Sequence, residues 1–469
     1  MEETSSILPQ EPEIVVFIPK KLPQYVAALV ATIGAFGLGT VLGWTSPALP
    51  SMAKSGDFPG FESDSDEATW ISALTPIGAL VAGFASGYSI QKIGQKGTML
   101  LLAAPFVAGW LMMAYAKTLS LIMVGRFITG FCGGSFSLLI PVYVSEIAET
   151  EIRGLLSNTL VLVLCIGILF TYIVGAVVTW QWLCIISASV PVILAIGMVF
   201  MPESPRFLLS KGRPGDARMA LRWLRGGSTE DVEPEMKLIA RSLEENQAQS
   251  VSIRDLLAGP VLKPTGISLM LMFLQQFGGI NVVIFYSVEI FQDAGTGIDA
   301  NLSAIIIAAV QVLFVFVSTL LVERLGRKIL LVVSDLGMGI SLLMLGVYFY
   351  LKEHDTGRAS SLGWLPLTSL ILYIITYNLA LGPLPWTMMG ELLPPHVKGL
   401  TASIATAFNY FLAFIITKFF PSMTAAMTSY GCYWLFSAVS FFGFVFCLVL
   451  VPETKGKSLD EIQRYFGRR

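Results

Sequence analysis

Residues 182–201 read WLCIISASVPVILAIGMVFM, and Pro202-Glu203-Ser204-Pro205-Arg206 follows at once. A helix needs about 20 mostly apolar residues to cross the hydrocarbon core of a bilayer. The stretch meets that length without one charge, and the sudden return of charge marks where the helix meets water. The same reading carried outward gives spans at 25–48, 69–90, 98–116, 119–144, 155–177 and 182–201. A polar stretch, 202–263, intervenes before 264–292, 302–322, 329–351, 364–390, 400–421 and 430–451. The sequence therefore predicts an all-α membrane protein of twelve transmembrane helices in two six-helix halves. The parts are a tail (1–24), an amino-terminal half (25–201), a linker of short amphipathic helices at a membrane face (202–263), a carboxy-terminal half (264–451) and a second tail (452–469).

Composition agrees. Of 469 residues, 54% are hydrophobic and 13% charged, with mean hydropathy +0.72; a soluble domain carries about 25% charged residues. The net charge of −2 identifies no partner, and nothing points to nucleic acid. The five cysteines (Cys132, Cys165, Cys184, Cys432, Cys447) lie in apolar runs away from His354 and His396, so no disulfide framework, metal site or cofactor motif is read. The first apolar run carries no signal-peptide cleavage site and is expected to remain as a helix.

Orientation comes from the basic residues. With both ends cytoplasmic, the cytoplasmic segments hold 24 of the 30 Lys and Arg. The opposite loops hold four (Lys54, Lys117, Lys352, Arg358), and Arg126 and Lys418 fall within spans. The positive-inside rule thus predicts cytoplasmic termini. The halves also repeat. Gly94-Gln95-Lys96 answers to Gly326-Arg327-Lys328, Glu146 and Arg153 to Glu391 and Lys398, and Pro202-Glu203 to Pro452-Glu453. Duplicated units of this kind place a site between two halves near the midplane.

The ordered motifs resemble those of the sugar porter branch of the major facilitator superfamily. They are Gly125-Arg126-Phe127, Pro141 to Glu146, Arg153-Gly154, Pro202 to Arg206, and Gln275-Gln276-Phe277-Gly278-Gly279-Ile280-Asn281. The set continues with Glu323 to Lys328, Gly382-Pro383-Leu384-Pro385-Trp386, Glu391, Asn409 and Pro452 to Lys457. Within the branch the chain looks most like insect trehalose and hexose facilitators. The resemblance implies a facilitative carrier of trehalose or a hexose, working as a monomer in the cell membrane by alternating access, with no cofactor and no enzymatic step.

The residues support site expectations of their own. Gln275, Gln276 and Asn281 lie mid-span, where polar groups are costly unless partnered. Amides both donate and accept, which suits a hydroxyl-rich ligand; the alternative is that they only bond neighbouring helices. Pro383 and Pro385 remove backbone donors and break the tenth span, offering a hinge, and Trp386 beside them is either a stacking face for a sugar ring or packing. The resemblance makes Gln311, Trp386, Asn409 and Tyr410 further substrate contacts. Glu146, Arg153, Glu323, Arg327, Glu391 and Lys398 form a gate by pairing between the halves, or simply orient the protein.

Several positions depart from the family pattern. Val161 replaces a sugar-binding Gln, Gln311 and Ala413 replace Asn, Asn378 replaces Glu, and Tyr410 stands for Trp. Gln91 and Gln95 stand where an acid and Arg are usual, and Lys398 replaces Arg. Gly39 occupies the place of the acid expected in a proton symporter, leaving Arg126 without that partner and predicting uniport. Asp335, in the ninth span, is expected to pair with a basic residue at the cytoplasmic end, the alternative being a titrating group. A sugar sensor and a proton symporter are the competing readings; the short tail counts against a sensor. Glu3 to Leu8 has dileucine-like spacing, and Asn301-Leu302-Ser303 is a sequon close to a helix.

Overall fold

The computed structural model describes residues 21–226, 232–247, 259–295, 297–393, 395–455, 457, 461, 462 and 466, the side chains of 150, 157, 158, 245–247, 259, 260, 323 and 395–399 excepted. Among the described residues there is no strand. Ten helices among the described residues are long and apolar enough to cross a membrane. Two of them are double-length. Asp66–Ala114 turns back at Gly94 (φ 83°, ψ 177°) and Pro395–Val449 at Thr428 (φ 67°, ψ 163°). Twelve crossings result, as the periodic apolar runs predict.

The first crossing is Leu22–Gly43, extended by Thr45–Ser55. The second and third share Asp66–Ala114; the fourth, fifth and sixth are Leu119–Ile147, Thr150–Gly175 and Trp180–Phe200. Pro205–Ser210, Pro214–Arg225 and Glu233–Gln247 form the linker. The seventh crossing is broken into Gly259–Phe277 and Ile280–Ala294. The eighth and ninth are Ala300–Leu325 and Arg327–His354. The tenth comprises Leu365–Thr376, a π turn Tyr377–Leu381 and Leu384–Leu392. The eleventh and twelfth share Pro395–Val449. Every backbone polar group in hydrocarbon must be satisfied internally, so helices are the natural solution and each break needs outside help.

The described chain begins and ends at one face of the bundle, the terminal face; the other is the distal face. At the terminal face, the repeated motifs become one repeated joint. Gly94 and Gly326 (φ 92°) adopt backbone angles that favour glycine. Glu203 accepts from the backbone N–H of Lys96 (3.1 Å) and Gly97 (3.2 Å). Glu453 accepts from that of Arg327 (3.0 Å) and Lys328 (3.1 Å). The Glu after each Pro thus caps the helix that starts beyond the hairpin, where the macrodipole favours an anion. Burial pushes Glu453 upward, but the N–H groups of Lys455, Arg327, Lys328 and Thr454 outweigh it and hold the carboxyl below its ordinary value.

The linker helices bury Leu208, Ala217, Ala220, Leu221, Val232 and Met236 against one another. Arg225 fastens them to the amino-terminal half. It donates to Ile147 O (3.0 Å) and to Glu235 (3.0 Å), and lies 3.3 Å from Glu149.

At the distal face the halves bond to each other. The Val288 N–H donates to Ser46 Oγ (3.1 Å), and Tyr172 Oη donates to the Ile284 carbonyl. Lys418 reaches Asp66 and Thr69. The distal side is closed by these contacts.

Candidate functional site

Two broken helices create the site. The seventh crossing opens at Gly278-Gly279, with Gly279 at φ 90°; Tyr373 Oη donates to the freed Gly278 carbonyl at 2.8 Å. In the tenth crossing, Pro383 and Pro385 cannot donate to the carbonyls four residues back, those of Leu379 and Leu381. Those two carbonyls find side chains instead. Ser318 of the eighth crossing donates to Leu379 O (3.1 Å), and Gln275 of the seventh to Leu381 O (3.0 Å) and Gly382 O (2.9 Å). Ser334 of the ninth donates to Thr376 O (2.7 Å) and accepts from the Leu381 N–H (3.3 Å). The π turn is therefore held by three neighbouring helices, the usual remedy for helix breaks in a membrane.

From Gln275 a chain of amides runs outward. Asn409 of the eleventh crossing donates to Gln275 Oε1 (2.9 Å), Gln276 donates to Asn409 Oδ1 (2.9 Å), and Asn281 donates to Gln276 Oε1. Gln275, Gln276 and Asn409 are buried, while Asn281 is partly exposed at the chain's end. Amides in such a chain orient one another, since each accepting oxygen fixes which way the next group points. Of the sequence-predicted set, the structure brings these four together. The donor group of Gln275 also closes the break in the tenth crossing.

Tyr410, next to Asn409, shares a hydrogen bond of 2.8 Å with Ser137 of the fourth crossing, across the halves. Sequence reading singled out Val161 as the lost polar group of the amino-terminal half and passed over Ser137. Gln311 is buried in the eighth crossing, and Trp386 is 38% exposed beside the break. Asn378 turns back to its own helix, donating to Ile374 O (2.8 Å).

In this structure, with the halves bonded to each other at the distal face, Glu146 receives Gln95 Nε2 (2.7 Å) and Ser204 Oγ, which follows the sixth crossing. Glu391 receives Arg327 (3.2 Å) and Thr454 Oγ1 (2.6 Å), which follows the twelfth. Each Glu thus lies against its own hairpin and against the segment that follows its own sixth or twelfth crossing, as the duplicated joint requires. Arg153 donates to the nearby Ala148 carbonyl at 3.3 Å. The side chains of Glu323 and Lys398, and the Glu3 to Leu8 segment, lie outside the described residues. One expectation is corrected, that Asp335 pairs with a basic residue at the terminal face. It is buried and its bonded partner is the Cys447 thiol (3.3 Å), with no basic residue bonded to it among the described residues. The ninth crossing faces the twelfth here, with Gly443 against the carboxylate, so the side chain is packed within the carboxy-terminal half.

Arg126 is fully buried, and each of its three guanidinium nitrogens donates to a neutral oxygen. It donates to Val41 O (2.9 Å), Ile71 O (3.2 Å) and Thr45 Oγ1 (2.8 Å), with its guanidinium 5.0 Å from the Trp44 ring centre. These bonds hold the first crossing at the point where it passes into Thr45–Ser55. Gly39 lies where the first and fifth crossings touch backbone to backbone. A Cβ on Gly39 would overlap the Leu164 carbonyl and stand 2.9 Å from Gly167 Cα. Close crossings of this kind need small residues. No carboxylate fits there.

A family model described as sugar (and other) transporter matches residues 27–466. Trehalose transporter 1 of Drosophila melanogaster is 43% identical over 461 residues, 97% of this chain and 53% of the relative. A facilitated trehalose transporter Tret1-2 homolog of Drosophila simulans is 44% identical over 443 residues, 94% of this chain and 90% of the relative. The chain spans about half the length of several curated relatives it matches. Among solved structures, the inward open conformation of the xylose transporter XylE from E. coli shares the fold, with TM-score 0.80 and 24% identity over 94% of this chain and 99% of that one. A partially occluded inward open form of XylE gives TM-score 0.79 at 24% identity, over 93% of this chain and 99% of that one. With the family model covering the chain from the first crossing to the end of the twelfth, this multi-pass membrane protein belongs to the sugar transporter family and has the major facilitator fold.

Proposed function

We propose that the chain is a facilitative transporter of a sugar, trehalose or a hexose, working by alternating access between its two halves. The observation that carries the reading is the amide chain Gln275–Asn409–Gln276–Asn281, set between two broken helices and ending on the partly exposed Asn281. Amides of fixed orientation suit the paired donor and acceptor of a sugar hydroxyl. Trp386 offers an exposed ring nearby in the same broken crossing. The relatives are named facilitated trehalose transporters, which makes trehalose the first sugar to test.

Uniport is supported by the Gly39 crossing. A coupling acid at position 39 has no space, and Arg126 is held by the neutral oxygens of Val41, Ile71 and Thr45. Asp335 stands apart from the amide chain, against Cys447 and Gly443 in the carboxy-terminal half, and serves in this reading as packing within that half. The terminal face is the cytoplasmic one by the count of basic residues, so both termini are cytoplasmic. The protein works as a monomer in the cell membrane, and the terminal-face nodes serve the gate by keeping each half rigid.

Purified protein in liposomes, given labelled trehalose, glucose, fructose and a polyol in turn, tests the reading. At least one sugar is expected to equilibrate and then stop at equal concentrations, with or without an inward proton gradient. Accumulation above the outside level that a protonophore abolishes would make it a symporter. Absence of flux for every sugar in correctly folded protein would favour a sensor.

A further inference from the structure

Lys418 is a charged residue inside the eleventh crossing, a costly position that needs an explanation. A lysine near a helix end ordinarily snorkels to the membrane surface. Lys418 does otherwise: its side chain is 10% exposed, and it points to the opposite half. Its ammonium donates to Asp66 and, at 2.6 Å, to Thr69 Oγ1, and stands 4.6 Å from the centre of the Trp70 ring. Phe414, one turn away on the eleventh crossing, lies 6.3 Å from the same ring.

All three partners sit in the first turn and a half of the second crossing, whose start is fixed by Ser65 capping the Ala68 N–H. Thr69 Oγ1 donates to Asp66 O at 2.7 Å, so its lone pair is turned toward the lysine. One side chain of the carboxy-terminal half is thus held by an anion, a hydroxyl and an aromatic face of the amino-terminal half. If the halves part at the distal face, all three contacts are lost together.

We propose that Lys418, with Asp66, Thr69 and Trp70, is a distal clasp that holds the transporter closed on that side and sets how often it opens there. This positioning role rests on the alternating-access reading above. Removing the charge should favour the distal-open state by roughly threefold to tenfold, the range that a charge-assisted bond supports when one partner is buried and the other exposed. The amide chain is untouched by the change, so sugar affinity at equilibrium should move little.

The test uses a cysteine reporter beneath the clasp. Ser72 lies one turn below Thr69 on the same face and is fully buried. In a Ser72→Cys protein, a membrane-impermeant maleimide added from the distal side reports opening; the native described cysteines are buried, and protein without the reporter gives the background. Lys418→Met and Asp66→Asn should each speed labelling about threefold to tenfold, and the exchange Asp66→Lys with Lys418→Asp should bring the rate back toward the parent. Should Lys418→Met fail to fold, Thr69→Val removes one neutral contact and should speed labelling by a smaller factor. Trehalose and glucose are added in parallel arms. Labelling that responds to sugar but not to Lys418→Met, Asp66→Asn or Thr69→Val would overturn the clasp and leave alternating access standing. Labelling that responds to neither would overturn both.

Discussion

Lys418, Ser46 and Tyr172 bond across the halves at the distal face, whereas the joints around Glu146 and Glu391 at the terminal face bond within their own half. The two sets do different work. Bonds across the halves must break whenever the distal side opens, so they set an equilibrium between states. Bonds within a half survive any rocking motion and make each half behave as one body. The joints also differ from one another: Arg327 holds Glu391 where neutral Gln95 holds Glu146, so one body is fastened by charge and the other by an amide.

The largest expected effect comes from forcing apart a contact inside one body. Gly39→Ala puts a methyl group against the Leu164 carbonyl, which belongs to a backbone and cannot turn aside. Overpacking costs about 1–3 kcal/mol, and a backbone clash belongs at the upper end. Folded yield and uptake should both fall sharply; wild-type behaviour of Gly39→Ala would mean that the first and fifth crossings are not in backbone contact.

At the site, the comparison becomes one between two neighbouring glutamines. Gln276→Ala and Asn281→Ala should raise KM about threefold to tenfold, from roughly 0.5–1.5 kcal/mol for one lost bond. Gln275→Ala should instead lower kcat, because it uncovers the Leu381 and Gly382 carbonyls and loosens the tenth crossing. Equal effects of Gln275→Ala and Gln276→Ala on both parameters would erase the distinction.

Smaller changes are expected at the terminal face. Arg327→Ala should loosen its half by about 1 kcal/mol at most, the pair being partly solvated, and should lower the unfolding temperature more than Gln95→Ala does. The smallest effect is acidic. The Glu453 carboxyl is held below its ordinary value of 4.5, so its contribution is present above that range and is lost as pH falls through the lower, folded value. The stability advantage of wild type over Glu453→Gln should be constant at neutral pH and shrink only at acid pH. An advantage already shrinking near neutrality would contradict the assigned cause.

The crossings were legible because burial in lipid writes itself as uninterrupted apolar runs, and the joints because both halves spell them. Gln275, Gln276 and Asn281 could be picked out because an amide inside such a run is conspicuous. Their partners were harder. Ser318 and Ser334 are small polar residues of kinds common in membrane helices, and only the geometry of the π turn shows that they answer to Pro383 and Leu381. Ser137 gave no signal for the same reason. Gly39 was read as a missing acid, while the cause of its size, contact with Gly167 128 residues away, needs the packed structure. Mirrored charges suit pairing across a pseudo-symmetric interface as well as within each half, so the bonds of Glu146 to Gln95 and of Glu391 to Arg327 needed the packed structure.

Paired spin labels test most directly whether the two halves rock as bodies. Lys92 and Arg324 are exposed on the terminal face of the two halves, and Lys117 and Arg358 are exposed on the distal face. Labels at each pair, replaced by cysteine in protein reconstituted into lipid, report both separations with and without the sugar that uptake identifies. Sugar should move the two distances in opposite directions, one lengthening as the other shortens. Distances that stay fixed together, or that lengthen together, would contradict alternating access between two rigid halves.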